Sequence, residues 1–119
     1  MVPTTTSAQK LLDVVLPGPR ADRGGAAVRV PVASVSAVDL AVMLKGRPDA
    51  EAVNRLLEGA GGVIGSTGRA LVSSDLRAAS ESIVMALPET RVTAGGLVRP
   101  LAGTTTNGAS STGCWTWRA

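Results

Sequence analysis

The chain has 119 residues and a mass of 12.0 kDa, with no His, Tyr or Phe. Its one Cys and two Trp are Cys114, Trp115 and Trp117, so residues 1–113 carry no imidazole, thiol or aromatic ring. That excludes a Ser–His–Asp or Cys–His pair, a zinc site of the usual ligand set and an aromatic platform for stacking bases. The net charge of +3 sets 12 scattered Lys and Arg against nine Asp and Glu; a nucleic-acid footprint needs the basic residues clustered.

The length predicts one domain at most, with a core of Val, Leu, Ala and Ile. Apolar runs are too short to span a membrane. Met1 is followed by Pro3 and a Thr run rather than by a basic start and an apolar stretch, so no secretory signal is expected. A lone Cys makes no internal disulfide, and the expected compartment is the cytoplasm.

In chain order, residues 6–16 read as a helix. Ala8, Leu11, Leu12 and Val15 recur at helical spacing, Thr6 with Gln9 is a capping-box pair, and Pro17-Gly18-Pro19 is the stop. Residues 20–26 read as a loop. Residues 27–33 alternate, with Val28, Val30 and Val32 on one face and Arg29 on the other; Pro31 marks an edge or irregular strand. Val38, Leu40, Val42 and Leu44 form a second alternating run, and the parity change after Val35 predicts a bulge near Ser36. Pro48-Asp49 opens a second helix to about Glu58, with an apolar stripe of Val53, Leu56, Leu57 and Ala60 and a glycine stop at Gly59, Gly61 and Gly62. Strand-like pieces follow at 70–73, 82–87, 91–93 and 97–102, with Ala94-Gly95-Gly96 as a hairpin turn. Helices and strands do not alternate strictly, which predicts an α+β fold rather than a doubly wound sheet. From Gly103 onward the chain is polar and without periodicity until Cys-Trp-Thr-Trp-Arg-Ala closes it.

Few residues carry candidate chemistry. Pro3-Thr4-Thr5-Thr6-Ser7 opens a helix, where unpaired N–H groups and the helix dipole favour an anion; an ordinary N-cap has the same residues. Arg29 offers a planar fork for phosphate, or is a solvated surface cation. Gly59-Ala60-Gly61-Gly62-Val63-Ile64-Gly65 lacks the G-x-G-x-x-G spacing and reads as a helix stop. Ser73-Ser74-Asp75 has no imidazole to activate a hydroxyl and reads as a turn or cap. The nine carboxylates show no metal-like cluster.

The succession of segments is more specific than any one of them. PTTTSAQKLLDVVLPG, AVRVPVASVSAVDLAVML, DAEAVNRLLEGA, LVSSDL, SIVMAL and GGLVRPLA, in this order over residues 2–102, resemble the catalytic domain of glyceraldehyde-3-phosphate dehydrogenase. Arg29 to Leu40 (R-V-P-V-A-S-V-S-A-V-D-L) and Val72 to Asp75 (V-S-S-D) carry the likeness best. Met85 replaces the Asp usual in the V-D-A-L motif.

The resemblance implies an antiparallel or mixed sheet with helices packed on one face, and a partial catalytic domain over residues 1–102. It implies that Thr6 and Arg29 bind a substrate or inorganic phosphate, with Ser7 standing where Gly is usual. The family's dinucleotide-binding domain and its catalytic Cys and His precede the P-T-T-T motif, so Met1 reads as an internal codon taken as a start. The intact family enzyme forms a thiohemiacetal on Cys, passes hydride to NAD or NADP, and releases the thioester by phosphorolysis to 1,3-bisphosphoglycerate. Family members are homotetramers that use the sheet as an interface.

The last residues fit a frameshift of the family's closing motif. Leu-Ala-Trp-Tyr-Asp-Asn-Glu-Trp-Gly-Phe can be written CTG GCC TGG TAC GAC AAC GAA TGG GGC TTC. Deleting one C of GCC gives Leu101 to Ser110 as they stand, and the next codons of the motif continue to Arg118 in the same shifted frame. Residues 103–119 are therefore expected to be an irregular, out-of-frame tail.

The functional expectation is a fragment of an NAD(P)-dependent phosphorylating aldehyde dehydrogenase of glycolysis. It holds part of the phosphate site, is inactive alone, and binds no cofactor, nucleic acid or membrane by itself. A separately encoded N-terminal half is its expected partner. The alternative is a non-enzymatic α+β interaction domain, a relic of a split gene. Either form is expected to expose apolar surface and to be marginally stable.

Overall fold

The computed structural model describes residues 1–15, 24–77 and 79–104. They fall into two units, Met1–Ala33 and Ser34–Ala119.

The first unit holds β1 (Val2–Thr4), α1 (Ala8–Val15) and β2 (Ala27–Arg29). β1 and β2 form an antiparallel ribbon in which Val2 faces Arg29 and Thr4 faces Ala27. α1 is the helix expected over 6–16. Its first carbonyl in use is that of Ser7, which accepts from Leu11 N at 3.1 Å; Thr6 Oγ1 accepts from Ala8 N at 3.2 Å. The hydroxyl thus satisfies one of the donors that a helix start leaves unpaired. The strand expected over 27–33 stops at Arg29. Val32 N donates to Val30 O at 2.8 Å across Pro31, a three-residue turn that replaces the ladder a proline cannot extend. Val28, Val30 and Val32 are all exposed, so their alternation buries no face. The Pro17-Gly18-Pro19 stop lies outside the described residues, as does most of the expected 20–26 loop.

The second unit carries β3 (Ser36–Asp39), β4 (Val42–Met43), α2 (Ala50–Ala60), β5 (Ile64–Thr67), β6 (Ile83–Ala86), β7 (Arg91–Val92), β8 (Leu97–Arg99) and β9 (Leu101–Thr104). One sheet has the order β3-β9-β6-β5, the other β4-β8-β7. Among the described residues only the β5–β6 pair is parallel. The fold is α+β with mixed and antiparallel sheets, as the sequence implies.

The two sheets share one interrupted ladder. Ser36 pairs with Thr104 and Asp39 with Leu101; in the same register Val42 pairs with Val98 and Met43 with Leu97. The break falls where Leu40 meets Pro100. Pro100 has no N–H to give, and its carbonyl still accepts from Leu40 N at 3.3 Å. The continuous runs expected over 38–44 and 97–102 are each two strands for this reason. β9 also runs on through Gly103 and Thr104, two residues past the expected end. The bulge expected near Ser36 is instead a left-handed residue just before β3: Val35 has φ 79°, a costly conformation for a β-branched side chain.

α2 starts at Asp49, whose side chain accepts from Ala52 N at 2.6 Å. It runs two residues past the expected end and stops at Gly61 (φ 58°) and Gly62 (φ 66°), where glycine alone enters the left-handed region cheaply. The helix lies against β5, an edge strand. Val53 is 8 % exposed and Leu57 half-buried, whereas Leu56 is 75 % exposed. The predicted stripe is wider than the edge strand it covers. β5 itself was hidden in the sequence, because Gly65 and Gly68 break its apolar pattern.

No strand forms over 70–73. A 3-10 turn spans Ser73–Leu76 instead. Asp75 Oδ2 accepts from Val72 N at 2.9 Å, and Asp75 N donates to Val72 O at the same distance. These local bonds outcompete a ladder. The Thr93–Leu97 turn joins β7 to β8 as expected, with Gly96 at φ 84°. The buried apolar side chains are Val53, Val84, Met85, Val98 and Ala102, and among the described residues no side chain is less than 2 % exposed. Val38, Leu40, Met43 and Leu44 of the interrupted ladder are all exposed.

Candidate functional site

Thr6, Ser7 and Arg29 all lie in the first unit. Thr6 is half-buried at the start of α1, while Ser7 and Arg29 are exposed. The Thr6 hydroxyl oxygen accepts from Ala8 N, which leaves its O–H free to donate outward. The ribbon register puts Arg29 opposite Val2, four residues before Thr6 along the chain. Strand geometry makes that on the order of 13 Å between Cα atoms if the segment is extended. The ribbon places the residues on one small body without setting Thr6 and Arg29 side by side.

The second unit holds a charged groove that the sequence did not single out. Asp39, Glu89, Arg91, Arg99 and Leu101 line an open volume of about 220 Å³. Arg91 and Arg99 stand directly opposite each other on β7 and β8, where like charges repel. Each has its own carboxylate. Arg99 pairs with Asp39 through Nε at 3.4 Å and through Nη2. Arg91 Nη2 reaches Glu89 Oε2 at 3.3 Å and its Nη1 donates to Pro88 O at 2.8 Å. The hydrogen bond to Asp39 and the charge of that carboxylate raise Arg99 above its ordinary value, so it stays protonated at any working pH. The groove is balanced, two cations against two anions. Counting outward from the glycine turn at 93–96 pairs 91 with 99, which is the sequence signal for this cluster.

The glycine segment after α2 does not form a dinucleotide cradle. Such a cradle needs a strand, a glycine turn and then a helix whose N-terminus meets the pyrophosphate. Here the order is reversed: α2, then Gly61 and Gly62, then β5. Ser73-Ser74-Asp75 acts as a backbone cap, as expected. Among the described residues no group of three or more His, Cys, Asp or Glu could hold a metal ion, and no helix is long and apolar enough to cross a membrane.

Residues 1–103 match the family described as glyceraldehyde 3-phosphate dehydrogenase, C-terminal domain. The chain belongs to this family. It is 37% identical over 106 residues to glyceraldehyde-3-phosphate dehydrogenase 1 of Bacillus cereus, covering 85% of this chain and 32% of the relative. Against glyceraldehyde-3-phosphate dehydrogenase 2 of Staphylococcus aureus strain N315 the identity is 38% over 104 residues, covering 86% and 30%. The enzyme of Cereibacter sphaeroides is 37% identical over 106 residues, covering 85% and 32%. The chain spans about a third of the length of these relatives.

Proposed function

We propose that this chain is the phosphate-binding portion of an NAD(P)-dependent phosphorylating aldehyde dehydrogenase acting on glyceraldehyde 3-phosphate, and that alone it is inactive. The observation that carries the reading is the family match over residues 1–103 in a chain spanning a third of its relatives' length. Thr6 and Ser7 supply hydroxyl donors at the start of α1, where the helix dipole favours an anion. Arg29 supplies a guanidinium fork from the paired strand. Their part is to bind and orient the phosphate of substrate or the incoming inorganic phosphate. The chain has no His, and its one Cys is Cys114, so acylation chemistry and NAD or NADP binding belong to the part of the enzyme outside these residues. In this reading the assembled enzyme is cytoplasmic and a homotetramer, and residues 103–119 are a frameshifted tail lying almost entirely outside the described residues.

The exposed Val38, Leu40, Met43 and Leu44 favour a second reading, a non-enzymatic interaction domain. One experiment separates the two. The purified chain is assayed for NAD-dependent oxidation of glyceraldehyde 3-phosphate alone and after mixing with the N-terminal two-thirds of a relative. No turnover alone and activity on mixing supports the enzyme reading. Turnover by the chain alone refutes the claim of inactivity, and a stable but inert mixed complex favours the interaction domain.

A further inference from the structure

Arg91 of β7 and Arg99 of β8 are direct partners across an antiparallel ladder. Both side chains therefore leave one face of the sheet, with Cβ atoms about 4.5–5.5 Å apart. Leu101 follows Arg99 at the next position of that face and pairs with Asp39 of β3. Glu89 comes two residues before Arg91. The row thus has two cations in the middle and a carboxylate at each end, and these four side chains line the groove of about 220 Å³ together with Leu101. The end carboxylates answer the repulsion between the two guanidiniums only from outside the pair.

A guanidinium carries five N–H donors in a planar fork. Arg99 commits Nε and Nη2 to Asp39, and Arg91 commits Nη1 to Pro88 O and Nη2 to Glu89. Among the described residues, donors on Arg99 Nη1 and Arg91 Nε stay uncommitted. The side chains of both ion pairs are 51–65 % exposed, and exposed pairs of this kind are held together weakly. A ligand of the right charge can compete with them. A monoanion gains nothing, because it only replaces one carboxylate by another. A dianion with three or more oxygens can face both guanidiniums at once and use both forks. We propose that the Arg91–Arg99 pair is a binding site for a phosphoryl dianion, independent of Thr6, Ser7 and Arg29 in the first unit. Asp39 and Glu89 are its built-in competitors. Leu101 gives the groove one apolar wall, against which the organic part of a phosphate ester can lie.

The test is a titration of the labelled full chain at low ionic strength with inorganic phosphate and, separately, with methyl phosphate, read at the Nε–H signals of Arg91 and Arg99. Both signals move along one isotherm, which shifts to higher ligand as salt is added. Arg91→Gln, read at Arg99, weakens binding about tenfold. Arg91→Lys keeps the charge, loses the fork and also weakens it. The carboxylates give the opposite sign: Asp39→Asn and Glu89→Gln each tighten binding about two- to fivefold, because each removes a competitor. All four positions are exposed or half-exposed, so the amide spectrum of α2 stays that of the parent and shows that each variant is folded. Tighter binding of methyl phosphate assigns the site to an ester lying on Leu101, and tighter binding of inorganic phosphate assigns it to the free ion. Static Nε–H signals with both probes, separate isotherms for the two arginines, an Arg91→Lys variant that binds like the parent, or carboxylate variants that bind no tighter would overturn the proposal.

Discussion

Met85→Asp puts a carboxylate at the centre of the larger sheet. Met85 lies on β6 between Ser66 of β5 and Ala102 of β9, and is 8 % exposed. The family resemblance places an Asp at this position, so the substitution asks whether the chain's own surroundings accept one. An ionised carboxylate without a buried partner costs about 3–5 kcal/mol. The alternative is that it stays neutral with its titration moved upward. A folded-state value near 7, about three units above the unfolded 3.9, is a loss of about 4 kcal/mol at pH 7. A unit of roughly 70 residues has about 4–10 kcal/mol in all. The sign is that of an acid raised by folding: the penalty is absent below the unfolded value and grows as pH rises to the folded one. Urea unfolding of the parent, Met85→Leu and Met85→Asp at pH 4.5 and 7.5 measures this. Met85→Leu stays within about 1.5 kcal/mol of the parent. Met85→Asp loses about 3 kcal/mol more at pH 7.5 than at pH 4.5. Equal midpoints for Met85→Asp and the parent at both pH values would refute the burial and central placement of Met85.

Other substitutions probe single contacts. Asp49→Ala removes the cap of α2 and costs about 1 kcal/mol in urea unfolding, whereas Asp49→Ser restores most of it. Gly96→Ala sets the new methyl in ordinary contact with Arg47 Cγ and Gly46 O at 3.8 Å but forces φ 84° on an L-residue, with a loss of about 1–2 kcal/mol; an unchanged midpoint would show that the β7–β8 turn is not left-handed. Gly103→Ala places a methyl against Leu76, which packs over β9. Leu76 has to rotate away, and amide exchange of the Ser73–Leu76 turn quickens while β6 stays protected. Asp39→Asn leaves the unfolding midpoint unchanged in 0.15 M salt, because the Arg99 pair is half exposed.

The elements legible in the sequence were those with local signals. α1 and α2 announce themselves by periodicity and caps, and the 93–96 turn by its glycines. Partner-dependent features were not legible. β5 is a strand because β6 lies beside it in parallel, not because Val63-Ile64-Gly65-Ser66 has a strand pattern. Leu40 and Pro100 break two strands at once because they face each other across the ladder, a fact that neither run contains. Likewise nothing in the sequence links Asn54 with Thr90, which meet at Leu87 O only through the packing of α2 on the sheet. The family motifs nominate Thr6, Ser7 and Arg29 for the proposed phosphate site but say nothing of their spacing, because the β1–β2 register that puts Arg29 opposite Val2 has no sequence signature.

That register also bears on how tightly the first unit can hold phosphate. Every residue of β1 is exposed, and β2 contributes only three pairs; a two-stranded ribbon of this kind is marginal in water. A binding-competent form populated at about 1 % weakens the apparent affinity by about a hundredfold. A micromolar intrinsic site therefore reads as about 0.1 mM phosphate. Titrating the labelled chain with inorganic phosphate should shift the amides of Ala8, whose N–H is held by Thr6 Oγ1, and of Arg29, along one isotherm in the sub-millimolar to millimolar range. Arg29→Lys keeps the charge and loses the fork, so the isotherm moves to higher phosphate while the Ala8 shift persists. Shifts confined to Arg91 and Arg99 would place the anion in the charged groove instead. Separate isotherms for Ala8 and Arg29 would mean that the three residues between Val2 and Thr6 hold the two groups too far apart to share one phosphate.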